Sequence, residues 1–193
     1  MRRRLSCAVA AAVLFAPQLA VAQDWGVADL MQRLAQTRRS EARFVERKYL
    51  KVLDRPLELA GRLLYVAPDR LEKRTLTPRP ETLIVDGDSL TIHEAGRPRA
   101  RRLRLQDHPA LWGFVESIRA TLAGDLTTLE RFYAVELEGT ARDWQLVLAP
   151  RVQAMRAVVQ LIRIGGDDTG LRWIEVTEAQ GDRSVMQVFE DSR

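Results

Sequence analysis

The sequence has few of the side chains that most often build catalytic or metal sites. It contains one cysteine, Cys7, and two histidines, His93 and His108. A tetrahedral zinc site takes about four nitrogen, sulfur or carboxylate ligands, so the chain offers little material for one. The motifs of serine-hydrolase elbows, phosphate-binding loops and zinc-protease helices are missing as well. We therefore expect no metal, no cofactor and no enzymatic activity.

The acidic pairs of the sequence lie in segments that are typical of turns. Asp86 and Asp88 flank a glycine, and Asp167 with Asp168 lies in a second glycine-containing segment. Asp in such segments usually hydrogen-bonds to nearby backbone, which favours turns over calcium ligands or acid pairs. His93 is a candidate general base, but it ends a predicted strand and has no evident partner in the sequence.

Beyond residue 22, no apolar run approaches the roughly 20 residues that a membrane-spanning helix needs. The first 22 residues follow the order of a secretory signal peptide: three arginines, an apolar run over residues 7–16, a proline, and small residues up to Ala22. We expect cleavage after Ala22, export to a bacterial periplasm, and one domain over residues 23–193. Cys7 precedes most of the apolar run, unlike the modified cysteine of a lipoprotein, and cleavage leaves a chain without thiols or disulfides.

The chain has almost no net charge once this leader is set aside. All 26 acidic residues lie after Ala22, whereas three of the 30 basic residues precede it. The remainder is nearly neutral, which argues against general attraction to nucleic acid. One dense basic stretch contains Arg97, Arg99, Arg101, Arg102 and Arg104. It indicates either a contact with phosphate-bearing lipid or an acidic partner protein, or a solvated hairpin. The hairpin is favoured, because strand alternation divides these residues between two faces.

The hydrophobic period divides the chain into a short helix, a long series of strands and one helical interruption. A helical stripe spans residues 24–37 with Asp24 as its cap, and the period then changes to that of strands. Residues 107–123 return to a helical pattern that ends at Gly124, and Asp125 can cap a second short helix. Roughly ten strands without long helices between neighbours indicate an antiparallel meander. The predicted fold is α+β, mainly β: a curved antiparallel sheet forming an incomplete barrel, with an N-terminal helix and a helical lid over an apolar cavity.

Four segments of the sequence occur in a distinctive order. Phe44 follows the first helix, residues 61–71 read GRLLYVAPDRL, residues 82–90 read TLIVDGDSL, and residues 144–150 read WQLVLAP. Their order and spacing resemble the outer-membrane lipoprotein carrier family (LolA-like proteins), over nearly the whole chain after the leader. The resemblance implies a half-barrel of antiparallel strands, with a helical lid over a cavity that shields lipoprotein acyl chains.

Strand alternation, together with this resemblance, predicts a cavity lining and a lid. The predicted lining is Leu63, Tyr65, Leu71, Ile84, Ile92, Leu146, Leu148, Ile162 and Trp173. The predicted lid covers residues 107–124, and its inward side chains are Trp112, Phe114 and Ile118. Ordinary core is the competing interpretation of each residue, and an error of one residue in register moves a side chain to the opposite face.

The predicted function is that of a monomeric periplasmic carrier. Its cargo is an acylated lipoprotein or another acylated lipid, which passes from an inner-membrane donor protein to an outer-membrane acceptor protein. The alternative is a sensor or regulatory module that uses the same fold to bind a partner protein. The sequence resembles a divergent member of the family. Ala67 stands where carrier members have an arginine that ties down the lid, Glu46 stands near a frequent glutamine, and the family's F-x-x-P-x-G-x-x-V tail is missing.

Overall fold

A computed structural model describes residues 25–190 as one 11-stranded antiparallel sheet with four α-helices. The strands are β1 (Arg39–Tyr49), β2 (Leu57–Val66), β3 (Arg70–Thr77), β4 (Glu81–Asp86), β5 (Ser89–Glu94), β6 (Arg101–Arg104), β7 (Tyr133–Thr140), β8 (Asp143–Pro150), β9 (Val159–Gly166), β10 (Leu171–Glu178) and β11 (Arg183–Glu190). The helices are α1 (Val27–Leu34), α2 (Pro109–Ala123), α3 (Leu126–Phe132) and α4 (Gln153–Arg156), and a 3-10 turn (Leu105–Asp107) precedes α2. The predicted leader lies outside the described residues. Within 25–190, none of the helices has both the length and the hydropathy to cross a membrane.

The sheet is a meander whose first and last strands meet in its centre. The strand order is β6-β5-β4-β3-β2-β1-β11-β10-β9-β8-β7, so β6 and β7 are the two edges. The chain passes from one edge to the other through α2 and α3, and the edges do not pair, which leaves the barrel incomplete. This confirms the predicted mainly-β meander with an N-terminal helix and a helical interruption between the two groups of strands.

The helix ends follow ordinary capping rules, with one difference from the sequence-based prediction. The cap of α1 is Gly26, whose N–H donates to the Asp29 carboxylate (2.9 Å), whereas the predicted cap Asp24 lies outside the described residues. At the end of α2, Gly124 has a φ of 69°, a left-handed conformation that glycine adopts without strain. Asp125 caps α3, as predicted, by accepting a hydrogen bond from the Thr128 N–H (3.0 Å).

The two halves of the sheet bury their inner faces to different degrees. On the β7–β11 half, the inner side chains of Leu146, Leu148, Ile162 and Ile164 have no exposed surface, because helices pack over them. On the β2–β6 half, most inner apolar side chains are only half-buried; they are Leu63, Leu71, Leu83, Ile92 and Leu103. Fully buried apolar side chains mark a completed core, whereas half-buried ones mark surface that another group can still cover.

Candidate functional site

The half-buried inner face of β2–β6 is an apolar wall formed by side chains in register. Leu63 lies opposite Lys73, Lys73 opposite Leu83, and Leu83 opposite Ile92. The adjacent row is made by Tyr65, Leu71, Val85, Leu90 and Leu103. Directly opposed residues of neighbouring antiparallel strands point to the same face, so these two rows form one continuous surface.

Helix α2 presents three stripes with different roles. One stripe is buried among the other helices; it consists of Gly113, Ser117, Ala120 and Thr121. A second stripe, Phe114, Ile118 and Leu122, is half-buried and packs against the larger core cluster. The third stripe is polar at its centre and contains Trp112, Glu116 and Arg119. Trp112 packs against the larger cluster and also against the smaller cluster of β4–β6, so it lies at the junction of the two.

A pocket of about 440 Å³ opens along the third stripe of α2. Its far wall is formed by the β2–β3 turn at Asp69 and the β4–β5 turn at Gly87, and Trp112 and Phe132 line its apolar part. The two rings meet edge to face, with centroids 5.2 Å apart. Ligand sites typically have volumes of roughly 300–1,000 Å³, so this pocket lies at the small end of that range.

Arg119 lines this pocket and joins α2 to the sheet. Its Nη1 donates to the Gly87 carbonyl (2.8 Å), and its guanidinium also pairs with the Glu116 carboxylate. Glu116 is buried and accepts a further hydrogen bond from the Trp112 indole N–H (3.0 Å). The group Trp112–Glu116–Arg119–Gly87, which we call the lid contact, therefore fixes the position of α2 over the apolar wall.

A buried polar group lies beside the apolar wall, on the inner side of β1, β3 and β11. The Glu46 carboxylate accepts hydrogen bonds from the Lys73 ammonium and from the Ser184 hydroxyl (2.6 Å). Burial alone would raise the pKa of Glu46, but attraction to Lys73 and these hydrogen bonds outweigh it, so its pKa lies below the ordinary value. The Lys73 ammonium also lies over the Phe44 ring, 5.0 Å from its centroid. The row of the wall that contains Leu63 is thus interrupted by the charged Lys73, whereas the adjacent row is apolar.

One buried hydroxyl lies on the wall. Among the buried side-chain polar atoms of residues 25–190, the Tyr65 hydroxyl is one of three that lack a hydrogen-bond partner. Desolvation by burial is the main reason that the pKa of Tyr65 is raised; Asp69 adds to this effect and Arg38 opposes it. A buried donor without an acceptor is costly, and a polar ligand atom or a water molecule would relieve that cost.

The structure places the predicted lining residues in three environments. Leu63, Tyr65, Leu71 and Ile92 lie on the apolar wall. Leu146, Leu148 and Ile162 also face inward, but under the helices, where they are completely buried. Ile84 and Trp173 lie on the outer face, and Trp112, Phe114 and Ile118 lie on α2 as predicted for the lid.

Two physical reasons explain the residues on the outer face. Ile84 pairs with Glu72 and Thr91, so its neighbour Leu83 takes the inward position. A register shift between Leu171 and Trp173 interrupts the alternation of β10, and the Trp173 indole then covers Gly165 on the outer face. Ile84 and Trp173 therefore lie on the predicted strands but are not part of the predicted lining.

Sequence reasoning missed Leu83, Leu103 and the lid contact. Leu103 lies between Arg102 and Arg104, so an inward pattern was available for it, whereas Leu83 is followed by the apolar Ile84 and has no such pattern. The pairing of Glu116 with Arg119 has a sequence signal, because residues three apart on a helix are neighbours. The contact of Arg119 with Gly87 spans 32 residues and has no local signal.

The acidic pairs form turns, as their sequence context indicates. The Asp167 carboxylate accepts a hydrogen bond from the Thr169 N–H (2.8 Å), and Gly87 between Asp86 and Asp88 has a φ of 54° in the β4–β5 turn. Within the part of the chain that the structure describes, no group of three or more His, Cys, Asp or Glu side chains could hold a metal ion.

A comparison with protein families decides the relationship. The model for the family "outer membrane lipoprotein carrier protein LolA-like" matches residues 16–188. The chain belongs to this LolA-like family. A search of curated proteins finds no matching sequence.

Solved structures similar to this LolA-like chain have low sequence identity. The LolA superfamily protein NE2245 from Nitrosomonas europaea is 10% identical, with a TM-score of 0.43, covering 88% of this chain and 96% of that one. A putative outer membrane lipoprotein-sorting protein domain from Vibrio parahaemolyticus is 9% identical, with a TM-score of 0.46 and coverages of 84% and 88%. The Pseudomonas aeruginosa MucA/MucB complex gives 15% identity, a TM-score of 0.46 and coverages of 84% and 55%.

The lid contact of this LolA-like protein differs from the arrangement that the family resemblance implies. Ala67 occupies the position of the expected arginine, and its backbone N–H donates to the Arg38 carbonyl (2.9 Å). In this chain the cation that joins helix and sheet comes from the helix, as Arg119, and its acceptor comes from the β4–β5 turn.

Proposed function

We propose that this LolA-like protein is a carrier that binds acyl chains between α2 and the apolar wall of β2–β6. The observation that supports it is that two apolar surfaces, one on the wall and one on α2, are both only partly covered. Leu71, Leu83 and Ile92 on the wall are half-buried, and so are Leu111 and Trp112, the α2 side chains that pack against the same smaller cluster. Further cover over these side chains is favourable, because removing apolar surface from water stabilises the covered state by roughly 25 cal/mol per Å².

An acyl chain suits this gap in chemistry and in energy. Each buried CH₂ contributes about 0.8 kcal/mol, so a long chain gains on the order of 10 kcal/mol by leaving water. The pocket of about 440 Å³ along α2 gives such a chain an entrance between the helix and the turns. Breaking the contact of Arg119 with Gly87 would widen this entrance, and a carrier needs a lid of this kind to release its cargo.

The remaining parts of the proposal follow from the family and the leader. The protein is cleaved after Ala22, acts in the periplasm as a monomer, and carries an acylated lipoprotein or another acylated lipid. An inner-membrane protein supplies the cargo and an outer-membrane protein receives it. No catalytic step is required, since binding, shielding and release of the acyl chain constitute the function.

Two adjacent residues provide a matched test. Leu83 lies on the apolar wall and Ile84 on the outer face of the same strand, and both are half-buried. We expect Leu83→Gln to weaken binding of a palmitoylated peptide by about tenfold, or 1.4 kcal/mol. Ile84→Gln should leave binding unchanged. Titration of both variants, with urea unfolding to show that each is folded, makes the comparison.

Native mass spectrometry of protein purified from its own periplasm identifies the cargo. An added mass that matches an acylated molecule supports the carrier function. If folded wild-type protein stays free of added mass after incubation with the palmitoylated peptide, the acyl-carrier function is wrong. Equal loss of binding in Leu83→Gln and Ile84→Gln would instead contradict the assigned position of the site.

A further inference from the structure

Exposed large apolar side chains are concentrated at one end of the sheet. Because neighbouring strands are antiparallel, five connections lie at this end: residues 50–56, 78–80, 95–100, 151–158 and 179–182. The exposed apolar residues of these connections and of the adjoining strand ends are Tyr49, Val52, Leu53, Leu57, Leu76, Val152 and Val158. We call this the β1–β2 end. Val52, at the tip of the β1–β2 loop, is 87% exposed, and its neighbour Leu53 is 48% exposed.

The connections at the β1–β2 end are also basic. Their charged residues are Lys51, Arg55, Arg79, Arg97, Arg99, Arg151 and Arg156, against two acidic residues, Asp54 and Asp182. The connections at the opposite end, with residues 35–38 and 105–108 included, have the reverse balance. Their charged residues are Asp69, Asp88, Asp107, Asp167 and Asp168, against two basic residues, Arg38 and Arg142. The nearly neutral chain therefore has one basic end and one acidic end.

We propose that the β1–β2 end docks on the surface of an anionic phospholipid bilayer, with Val52 and Leu53 inserted among the headgroups. Apolar side chains at an exposed tip are stabilised at the boundary between headgroups and acyl chains. Lys and Arg residues around that tip are attracted by the negative surface potential of anionic lipid. The acidic end points away from the membrane in this orientation, so the charge distribution favours a single way of docking.

A bilayer fits this end better than a folded protein partner does. A stable protein–protein interface buries roughly 800 Å² on each partner and has an apolar core. Here the two most prominent apolar side chains occupy one loop tip, and the cations are distributed over four separate connections. A broad charged surface such as lipid headgroups meets all of these connections at once. The proposal goes beyond the carrier function and does not depend on it, because these residues line neither the apolar wall nor the pocket along α2.

The test compares vesicle binding of variants at the two ends. Purified protein is floated with vesicles of phosphatidylcholine alone or mixed with phosphatidylglycerol. The wild-type protein should float with the anionic vesicles. The double variant Lys51→Glu/Arg55→Glu should bind them at least about 25-fold more weakly, since each Lys or Arg near the surface contributes about fivefold. The double variant Val52→Ser/Leu53→Ser should lose about tenfold, because it removes the inserted apolar groups.

Matched variants at the opposite end are the controls. Arg38→Glu/Arg142→Glu makes the same change of charge, and Phe189→Ser removes an apolar side chain that is 44% exposed on β11. Both should bind anionic vesicles as the wild type does. The proposal is overturned if wild-type protein does not float, if it binds both kinds of vesicle equally, or if changes at the two ends have equal effects. Urea midpoints close to that of the wild type show that each variant is folded.

Discussion

The lid contact makes a quantitative prediction about how α2 is held. Glu116 is 4% exposed, and its carboxylate is paired with Arg119 and hydrogen-bonded by Trp112. Arg119→Met leaves this buried carboxylate with the Trp112 N–H as its remaining partner. Removing one member of a buried ion pair costs roughly 3–5 kcal/mol. Because the Arg119 side chain keeps 18% of its surface exposed, we expect about 3 kcal/mol of unfolding free energy to be lost, the low end of that range.

A double-mutant cycle separates the pair from the rest of the fold. Glu116→Gln keeps an acceptor for Trp112 and removes the charge, so about 2 kcal/mol is expected for it alone. The double variant no longer contains an unpaired buried charge and should lose about 3 kcal/mol in total, which gives a coupling of about 2 kcal/mol. Urea unfolding of the four proteins measures these values. Arg142→Met, at an exposed position, is the surface control and should cost less than about 0.5 kcal/mol.

Hydrogen exchange tests whether the ion pair stabilises α2 locally, in addition to its effect on the stability of the whole fold. In Arg119→Met the amides of α2 should exchange faster relative to those of β8 and β9, which lie in the fully buried half of the sheet. A coupling below about 0.5 kcal/mol, or acceleration that is uniform over the molecule, would refute the assignment of Arg119 as the contact that positions α2.

Two further predictions concern the sheet. Glu46 has a lowered pKa in the folded state, so its charged form contributes stability that is present above its ordinary value of 4.5 and is lost as the pH falls through the folded-state pKa. Urea unfolding against pH should show the difference between wild type and Glu46→Gln shrinking below pH 4.5, and a difference that does not change with pH would contradict the assigned ion pair. Gly61→Ala would make a methyl group overlap the Arg74 carbonyl oxygen, which belongs to the backbone of the neighbouring strand, so a loss of about 3 kcal/mol or more in unfolding free energy is expected. Wild-type stability in this variant would show that β2 and β3 are not packed as described.

The fold was largely predictable from local signals, because the spacing of apolar residues that distinguishes strands from helices is visible within short segments. The alternation in β8 selects Leu146 and Leu148 for the inner face, and the turn at Gly87 fixes the β4–β5 hairpin. Helix α2 was predictable from its apolar spacing and from Gly124 at its end.

The candidate site was less predictable, because it depends on register and on distant contacts. Both faces of β4 are apolar at Leu83 and Ile84, so no local pattern distinguishes the inward residue. In β10, the alternation that begins at the buried Leu171 would place Trp173 on the same face, but the register shift reverses it. Tertiary packing decides whether Ile162 is covered by helices or left partly exposed, and the sequence of β9 alone does not predict that packing.

The pairing of β1 with β11 has a consequence for how the chain acquires its structure. Strands β1 to β6 and strands β7 to β11 are each continuous in sequence, so either group can assemble from hairpins whose ends meet quickly. The two groups of strands join into one sheet only when the last strand pairs, since β11 lies between β1 and β10. During synthesis from the N-terminus, the free side of β1 therefore stays unpaired until the final strand is made, and it can pair with wrong partners in the meantime. Deletion of β11 would consequently split the sheet at its centre. Deletion of the edge strand β6 would only remove one edge.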